Sequence, residues 1–210
     1  MDLTTRQRDA LLDAAREVVR ARLSAGLETP APVAPPAPEA DLMQPAGCFV
    51  SLHTLSEPRR LRGCIGRLDA SKPLWVAVHD AAGAVLEDPR FLDQPVAAGE
   101  FWDLKIEITV LSSLRPAEHV LDFDPLTDGI SLTIGHRTGC FLPQVARETG
   151  WTREQLLDRL CAEKLALPPA MWRTPQATLS KFSTLIIGPV PFDPVAAATI
   201  GARGNESGAC

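Results

Sequence analysis

The segment Leu61–Gly66 (LRGCIG) combines residue types that can carry chemistry. In a strand, alternate side chains point to opposite faces of the sheet. Arg60, Arg62 and Cys64 would then share a polar face, opposite the apolar residues of the segment. Positive charge close to a cysteine favours the thiolate and lowers the thiol pKa. The pattern therefore predicts a reactive thiol or an anion-binding site.

Two glycines flank this cysteine and have no side chains to block a ligand. Gly63 and Gly66 would leave the nearby backbone N–H groups open to close approach. We therefore take Cys64 as a candidate nucleophile, with Arg62, Gly63, Gly66 and Arg60 as candidate substrate-binding residues. A free cysteine commonly behaves as a small hydrophobic residue. A buried structural cysteine beside solvated arginines stays open as the alternative.

Two further residues are candidates to assist Cys64. His53 lies on the polar side of the preceding strand, and across a hairpin it would approach and activate the sulfur. Glu107 lies on the polar face of the predicted strand 102–111, where a carboxylate near Arg62 would orient it or act as a base. A lone surface histidine and a surface carboxylate are the alternative interpretations.

The chain has five cysteines, and the other four are weaker candidates. Their spacing puts Cys48 on the apolar face of a strand and Cys161 on the apolar stripe of a helix, so both are predicted core residues. Cys140 follows Gly139 at an expected turn and is left undecided, and Cys210 lies in a tail. The odd number, without a C-x-x-C pair, fits free thiols in a reducing compartment. With no secretory signal in view, we expect a cytoplasmic protein.

Composition limits the functional classes. The 210 residues suffice for one large domain or two small subdomains. A net charge of -5 argues against nucleic-acid binding. No apolar run approaches the ~18 residues of a membrane helix. Metal-ligand spacings and nucleotide-binding motifs are absent from the sequence, so neither a metal nor a cofactor is expected.

Hydrophobic spacing divides the chain into segments. Residues 1–27 predict an N-terminal helix, with Thr4 and Gln7 as a capping box. Prolines spaced through residues 28–46 predict an exposed Pro/Ala-rich loop. Residues 47–192 form the rest of the domain, and residues 193–210 are predicted to be a mobile tail.

Within the domain, helical and alternating patterns are mixed. Strands over 47–55 and 59–65 predict a hairpin, and strand 102–111 would place Trp102 on its core face. Residues 177–187 predict one further strand. The predicted helices are one that Lys72-Pro73 begins and Asp88-Pro89 ends, and one over residues 152–164 that Thr152 and Gln155 cap. This mixture predicts an α+β fold with a mainly antiparallel sheet and flanking helices.

Several motifs, taken in order, resemble the AMMECR-one domain family, whose bacterial and archaeal members are called AmmeMemoRadiSam system protein A. The resemblance extends from about Thr5 to Phe192. The stretches that carry it are Leu61–Gly66, Asp88–Phe91, Ile106–Ser112, Gly139–Val145, Trp151 and Leu160–Lys164. It implies an α+β domain of two subdomains that form a cleft, with the Arg62–Cys64 motif as the functional site.

The resemblance also implies partners. Family members occur with a Memo-like protein and a radical S-adenosylmethionine (SAM) enzyme. We therefore expect a thiol-bearing component of a radical-SAM/Memo-linked modification system with a Cys/Arg cleft site, acting as a cysteine-dependent enzyme or enzyme subunit. The alternative is a non-catalytic accessory protein that binds the Memo-like and radical SAM partners.

Overall fold

The computed structural model describes residues 2–25, 40–56 and 58–194. In this part of the chain the helices are α1 (Thr5–Ala25), α2 (Leu74–Ala84), α3 (Pro143–Thr149) and α4 (Arg153–Glu163). The strands are β1 (Cys48–Thr54), β2 (Leu61–Arg67), β3 (Leu104–Leu111), β4 (Arg115–Pro116), β5 (Gly129–Ile134), β6 (Arg137–Phe141), β7 (Ala177–Phe182) and β8 (Thr184–Pro191). The predicted α+β class is confirmed. None of the described helices is long and apolar enough to span a bilayer.

The chain divides into two compact units, and the first comprises Met1–Val110 and Leu185–Cys210. Its sheet has the strand order β2-β1-β3-β8, so β2 is an edge strand. β1 pairs antiparallel with both β2 and β3. Alternate residues of the central strands, with faces of α1 and α2, form the core of this unit. The predicted hairpin of β1 and β2 is confirmed.

The second unit, Leu111–Thr184, has its own sheet and its own core. The strand order is β4-β7-β5-β6, which makes β6 an edge strand. Leu157, Leu160 and Cys161 of α4 pack with Leu132 of β5 in the buried cluster of this unit. Burial of apolar side chains on one face of a helix and one face of a sheet stabilises each unit.

Both predicted capping boxes are present. The Thr4 N–H donates to Oε1 of Gln7 at 2.7 Å, and the Gln7 N–H donates to Oγ1 of Thr4 at 3.3 Å. Thr152 and Gln155 make the same reciprocal pair before α4, at 2.9 and 3.3 Å. These bonds satisfy N–H groups that the first turn of a helix leaves unpaired, so they fix where α1 and α4 begin.

Three predictions differ from the structure. Trp102 lies in a 3-10 turn (Ala98–Asp103) before β3 and is 51% exposed, so its predicted place on the core face is wrong. The single strand predicted over 177–187 is two strands of different sheets, which separate at Ser183. In the predicted loop 28–46, residues 28–39 lie outside the described residues, but Leu42 and Ala46 are buried core residues. Of the predicted tail, residues 195–210 lie outside the described residues.

Candidate functional site

Cys64 lies in the middle of β2, and its backbone N–H and carbonyl point away from β1, toward the outer edge of the sheet. Its N–H donates to Oδ2 of Asp88 at 2.9 Å, and its carbonyl accepts from Nη2 of Arg90 at 3.3 Å. These groups therefore do not bond to β1, and Cys64 forms a non-hydrogen-bonded pair with its cross-strand neighbour Ser51. Side chains come closest in such pairs. The half-buried thiol thus lies beside the buried Ser51.

Asp88 and Arg90 form a clamp on this edge of the sheet. Asp88 is only 2% exposed, and its carboxylate accepts from the backbone N–H of Arg90 at 3.1 Å. The Arg90 guanidinium binds it bidentately, through Nε at 3.0 Å and Nη2 at 2.6 Å. Since the same guanidinium donates to the Cys64 carbonyl, one clamp holds both outward-facing main-chain groups of the cysteine.

The sequence Asp-Pro-Arg explains the local shape of this clamp. Asp88 caps a single 3-10 turn, Pro89–Phe91, and accepts the N–H two residues ahead of it, as aspartate does in tight turns. Proline suits the first position of the turn because its φ is already correct and its missing N–H is not needed there. The turn therefore presents the Asp88 and Arg90 side chains together.

The clamp is held in its charged form. Burial alone would raise the pKa of Asp88, but hydrogen bonds from Arg90 and from the Cys64 N–H outweigh it and lower that pKa to about 2. The hydrogen bond to Asp88 is the main cause that raises the pKa of Arg90, and the interaction with Cys64 contributes in the same direction. The guanidinium at the thiol is therefore that of Arg90.

Arg62 does not accompany Cys64 as the sequence predicted. Leu52 pairs with Gly63 but His53 pairs with Leu61, so Arg62 is an extra residue in β2. Such a bulge interrupts the alternation on which the prediction depended. The Arg62 guanidinium instead donates to Glu100 at 2.5 Å and to the Gln94 and Pro95 carbonyls at 3.4 and 3.3 Å.

Glu100 is thus the carboxylate partner of Arg62, where the sequence suggested Glu107. Burial would raise the pKa of Glu100, and the hydrogen bond from Arg62 reverses this and lowers it. Arg60 is exposed and precedes β2. Its N–H and carbonyl bond to Oγ1 and N–H of Thr54, at 2.9 and 2.8 Å, and close the hairpin. Neither arginine is shown to bind at the thiol.

The two glycines of the motif accommodate neighbouring backbone atoms, and their role in binding a ligand stays a prediction. A Cβ on Gly63 would overlap the carbonyl oxygen of Val85, and one on Gly66 would overlap that of Cys48. The open N–H expected beside Cys64 is already bonded to Asp88. Glycine is required at both positions because neighbouring backbone passes so close.

His53 and Glu107 are both on β-strands beside the site. Glu107 faces Ser51 in register, which places it two strands from Cys64, about 10 Å away by the usual strand spacing. His53 pairs with Leu61 and Lys105 and does not face Cys64. The residue that pairs with Cys64 is Ser51. Burial chiefly, and then the charges of Arg59 and Lys105, lower the pKa of His53 to about 4. His53 is therefore neutral at neutral pH.

The other described cysteines differ in burial. Cys48 and Cys161 are fully buried, as predicted, and burial is the main cause that raises the pKa of both thiols, to about 12 for Cys48. Cys140 lies within β6, not at a turn, and pairs with the buried Ser131 of β5. It is half-buried, like Cys64. Cys210 lies outside the described residues.

A cavity of about 200 Å³ is lined by residues of β2 other than Cys64. Ile65 and Gly66 line it together with small residues of α2, and charged side chains at its border include Asp80 and Lys72. Lys72 and Asp80 bind each other at 2.6 Å. Cys64 does not line this cavity, so the cavity is separate from the thiol site.

The arrangement at Cys64 suits some thiol reactions better than others. Acyl transfer commonly uses the N–H of the nucleophile itself to stabilise an oxyanion. Here that N–H donates to the Asp88 carboxylate, which would repel an oxyanion. Displacement at a saturated carbon or at sulfur develops no oxyanion and does not need that donor. Among the described residues, no group of three or more His, Cys, Asp or Glu side chains is placed to hold a metal ion.

Sequence reasoning missed Asp88, Arg90, Ser51 and Glu100. Asp88 and Arg90 stand 24 and 26 residues after Cys64, in a segment that was interpreted as the end of a helix and as a motif of the family resemblance, without a role in the site. A usable signal was the Asp-Pro-Arg sequence itself, since aspartate before proline favours a turn that exposes side chains together. Ser51 follows from the hairpin once its register is known.

Comparison with known proteins defines the class of this chain. The AMMECR1 family model matches residues 12–187. Protein MJ0810 of Methanocaldococcus jannaschii is 35% identical over 147 residues, which cover 67% of this chain and 71% of that protein. Protein PF1979 of Pyrococcus furiosus is 34% identical over 201 residues, or 88% and 92% of the two chains.

A solved structure agrees with the sequence relatives. Uncharacterized protein PH0010 from Pyrococcus horikoshii superposes with a TM-score of 0.73 and 32% identity, covering 84% of this chain and 88% of that chain. The α+β fold and the matched range, which includes both Cys64 and its clamp, define a protein of the AMMECR1 type. The chain belongs to the AMMECR1 family, which confirms the resemblance seen in its sequence.

Proposed function

We propose that this protein is the thiol-bearing component of a modification system in which Cys64 acts as the nucleophile or thiol carrier. The observation that carries the proposal is the Asp88–Arg90 clamp, which holds the cysteine backbone and sets a guanidinium within hydrogen-bond distance of the cysteine carbonyl. A nearby cation favours the thiolate, which is the nucleophilic form of cysteine. The buried carboxylate of Asp88, which binds the Arg90 guanidinium bidentately, keeps that cation in position.

The proposal includes the partners that the family resemblance implies. A Memo-like protein and a radical SAM enzyme would work with this chain, and the expected compartment is the cytoplasm. In that system the radical enzyme would supply the difficult chemistry, and Cys64 would accept or present a reacting group. The backbone N–H and carbonyl of Cys64 are bonded to an aspartate and arginine pair, which fixes the position of this cysteine.

The direct test is replacement of Cys64 in cells that require the system. Cys64→Ser should abolish the function while the protein still folds and accumulates, because the hydroxyl is a far weaker nucleophile than a thiolate. Cys140→Ser is the matched control, since it removes a half-buried cysteine that also faces a buried serine. Full function of the Cys64→Ser variant would overturn the proposal.

A second function is favoured by two exposed apolar side chains in the stretch between the clamp and β3. Leu92 and Trp102 are more than half exposed, which suits contact with another protein. In this alternative the chain is a non-catalytic accessory protein that binds the Memo-like and radical SAM partners.

Co-purification separates the two functions. If the accessory function is correct, Trp102→Ala should lose the partners and the function, and Cys64→Ser should retain both. If the thiol function is correct, Cys64→Ser should retain the partners and lose the function. Absence of any complex at micromolar protein would contradict the accessory function.

A further inference from the structure

We infer that the molecule that reacts with Cys64 is anionic, with a carboxylate or phosphate group that binds to Arg90 and not to Arg62. This inference rests on the proposed function and names the substrate class of the same site. Three observations support it: the donors that remain on each guanidinium, the exposure of the two arginine side chains, and the register shift in β2.

Arg90 keeps donors that its own contacts do not use. Its bonds to Asp88 and to the Cys64 carbonyl employ Nε and Nη2. A guanidinium has five N–H donors in a planar fork, and none of these bonds uses the two on Nη1. The carboxylate of Asp88 is buried at 2% exposure, whereas the Arg90 side chain is 56% exposed. An incoming anion therefore meets the guanidinium before it meets Asp88.

Arg62 is arranged in the opposite way. Its side chain is 20% exposed and binds a carboxylate that is itself more exposed, that of Glu100. Two backbone carbonyls accept further bonds from its Nη2. An anion that approaches Arg62 would compete with Glu100 for the guanidinium. The register shift in β2 also takes Arg62 out of the alternation that would align it with Cys64.

The reaction expected at this site is a displacement by the thiolate. The thiol proton leaves to solvent, the sulfur forms a new bond to the electrophilic atom, and the leaving group departs with the electron pair of the broken bond. No oxidant or reductant is needed. An anionic group on the electrophile would bind Nη1 of Arg90 and hold the reacting atom near the sulfur, which raises the rate through proximity.

A pair of alkylating reagents tests this inference on the full chain. Iodoacetate and iodoacetamide transfer nearly the same group and lose the same iodide, but only iodoacetate is anionic. Second-order rates at Cys64 are measured for both reagents by peptide mass spectrometry. Their ratio cancels the fraction of thiolate, which affects both rates equally, and leaves the preference for an anion.

The expected result is a ratio of iodoacetate to iodoacetamide rates that falls about fivefold in Arg90→Gln, as removal of one partly exposed charge at contact distance would give. Arg62→Gln is the matched control and should leave the ratio unchanged. Arg90→Lys keeps the charge and should retain most of the preference. Added salt should lower the ratio of the native protein because it screens the exposed charge.

The outcomes separate this inference from the proposed function. Equal ratios in the native protein and Arg90→Gln, with rapid labelling of Cys64 by iodoacetamide, would overturn the inference and leave the thiol function supported. A fall in the ratio for Arg62→Gln but not for Arg90→Gln would also overturn it. If Arg90→Gln does not fold, Arg90→Lys and the salt series on the native protein decide the question. A Cys64 that neither reagent labels would contradict the proposed function itself.

Discussion

The two units each place a half-buried cysteine on an edge strand, opposite a buried serine of the neighbouring strand. Cys64 of β2 pairs with Ser51, and Cys140 of β6 pairs with Ser131. Strand position and cross-strand partner are therefore the same. What differs is the set of groups along the outer side of each edge strand.

At β2 the outer side carries a charged clamp directed at the cysteine backbone. At β6 the guanidinium of Arg137 donates to the carbonyls of Leu165 and Ala166, at 2.7 and 2.8 Å, and Lys164 lies over the Phe141 ring. Those cations hold the end of α4 to the sheet. The comparison indicates that an edge position makes a cysteine accessible, and that a dedicated charged turn is what makes it a candidate for chemistry.

Substitution of the glycines that precede the two cysteines, Gly63 and Gly139, is expected to give the largest difference in unfolding free energy between the two units. A methyl group on Gly63 would meet the backbone oxygen of Val85, whereas one on Gly139 would meet side-chain atoms of Lys164 and Leu165. Backbone yields less than side chains, so Gly63→Ala should cost about 3 kcal/mol of unfolding free energy and Gly139→Ala about 1 to 2. Urea titration of both variants measures this.

Gly99→Ala is the control for the glycine series, because nothing lies within 4 Å of the added methyl group. Its free energy of unfolding should stay close to that of the native protein. An equal cost for Gly63→Ala and Gly99→Ala would contradict the tight packing of β2 on Val85.

The next largest effect on unfolding free energy is expected when the negative charge of Asp88 is removed from the clamp. Asp88→Asn should destabilise the protein by about 2 kcal/mol, because the amide offers one acceptor oxygen where the two carboxylate oxygens accept four N–H bonds, and its NH2 group would face N–H donors of this buried network. The ion pair of Asp122 with Lys181 in the second unit is the matched control. Asp122→Asn should cost less, since that pair is more exposed. The reverse order of the two costs would refute the importance of the clamp.

Low pH should remove the stabilisation that the ionised Asp88 carboxylate provides, as the substitution does. An aspartate in an unfolded chain titrates near 3.9, and Asp88 titrates at about 2 in the folded protein. A lowered pKa stabilises the folded state above the unfolded value, and this stabilisation is lost as the pH falls from about 4 towards 2. The difference in unfolding free energy between native protein and Asp88→Asn should shrink by about 2 kcal/mol over that range. A difference that stays constant would show that Asp88 is not held ionised.

The features that were predictable from the sequence are local. The capping boxes at Thr4 and Thr152 depend on residues three apart, and the opposite faces for Gly63 and Cys64 depend on alternation within one strand. Arg90 was missed because it reaches Cys64 only after the chain has passed through α2. Arg62 was misassigned because one extra residue in β2 has no distinct signature in the sequence.

Other failures have the same origin in long-range context. Residues 177–187 predict one continuous strand, but the chain changes sheet at Ser183, whose N–H and carbonyl bond to Ser112 instead. Leu42 follows a proline-rich stretch that predicts an exposed loop, yet its backbone carbonyl accepts from the Trp75 N–H at 3.0 Å and its side chain enters the core. Neither contact has a local signal.

The measurement that tests the central claim most directly is timed alkylation of all five cysteines of the native protein with iodoacetamide, resolved by peptide mass spectrometry. The expected result is that Cys64 reacts about tenfold faster than Cys140, that Cys48 and Cys161 hardly react, and that Arg90→Gln slows Cys64 without slowing Cys140. If Cys64 reacts no faster than Cys140, or if Arg90→Gln leaves its rate unchanged, the clamp does not prepare this cysteine for chemistry.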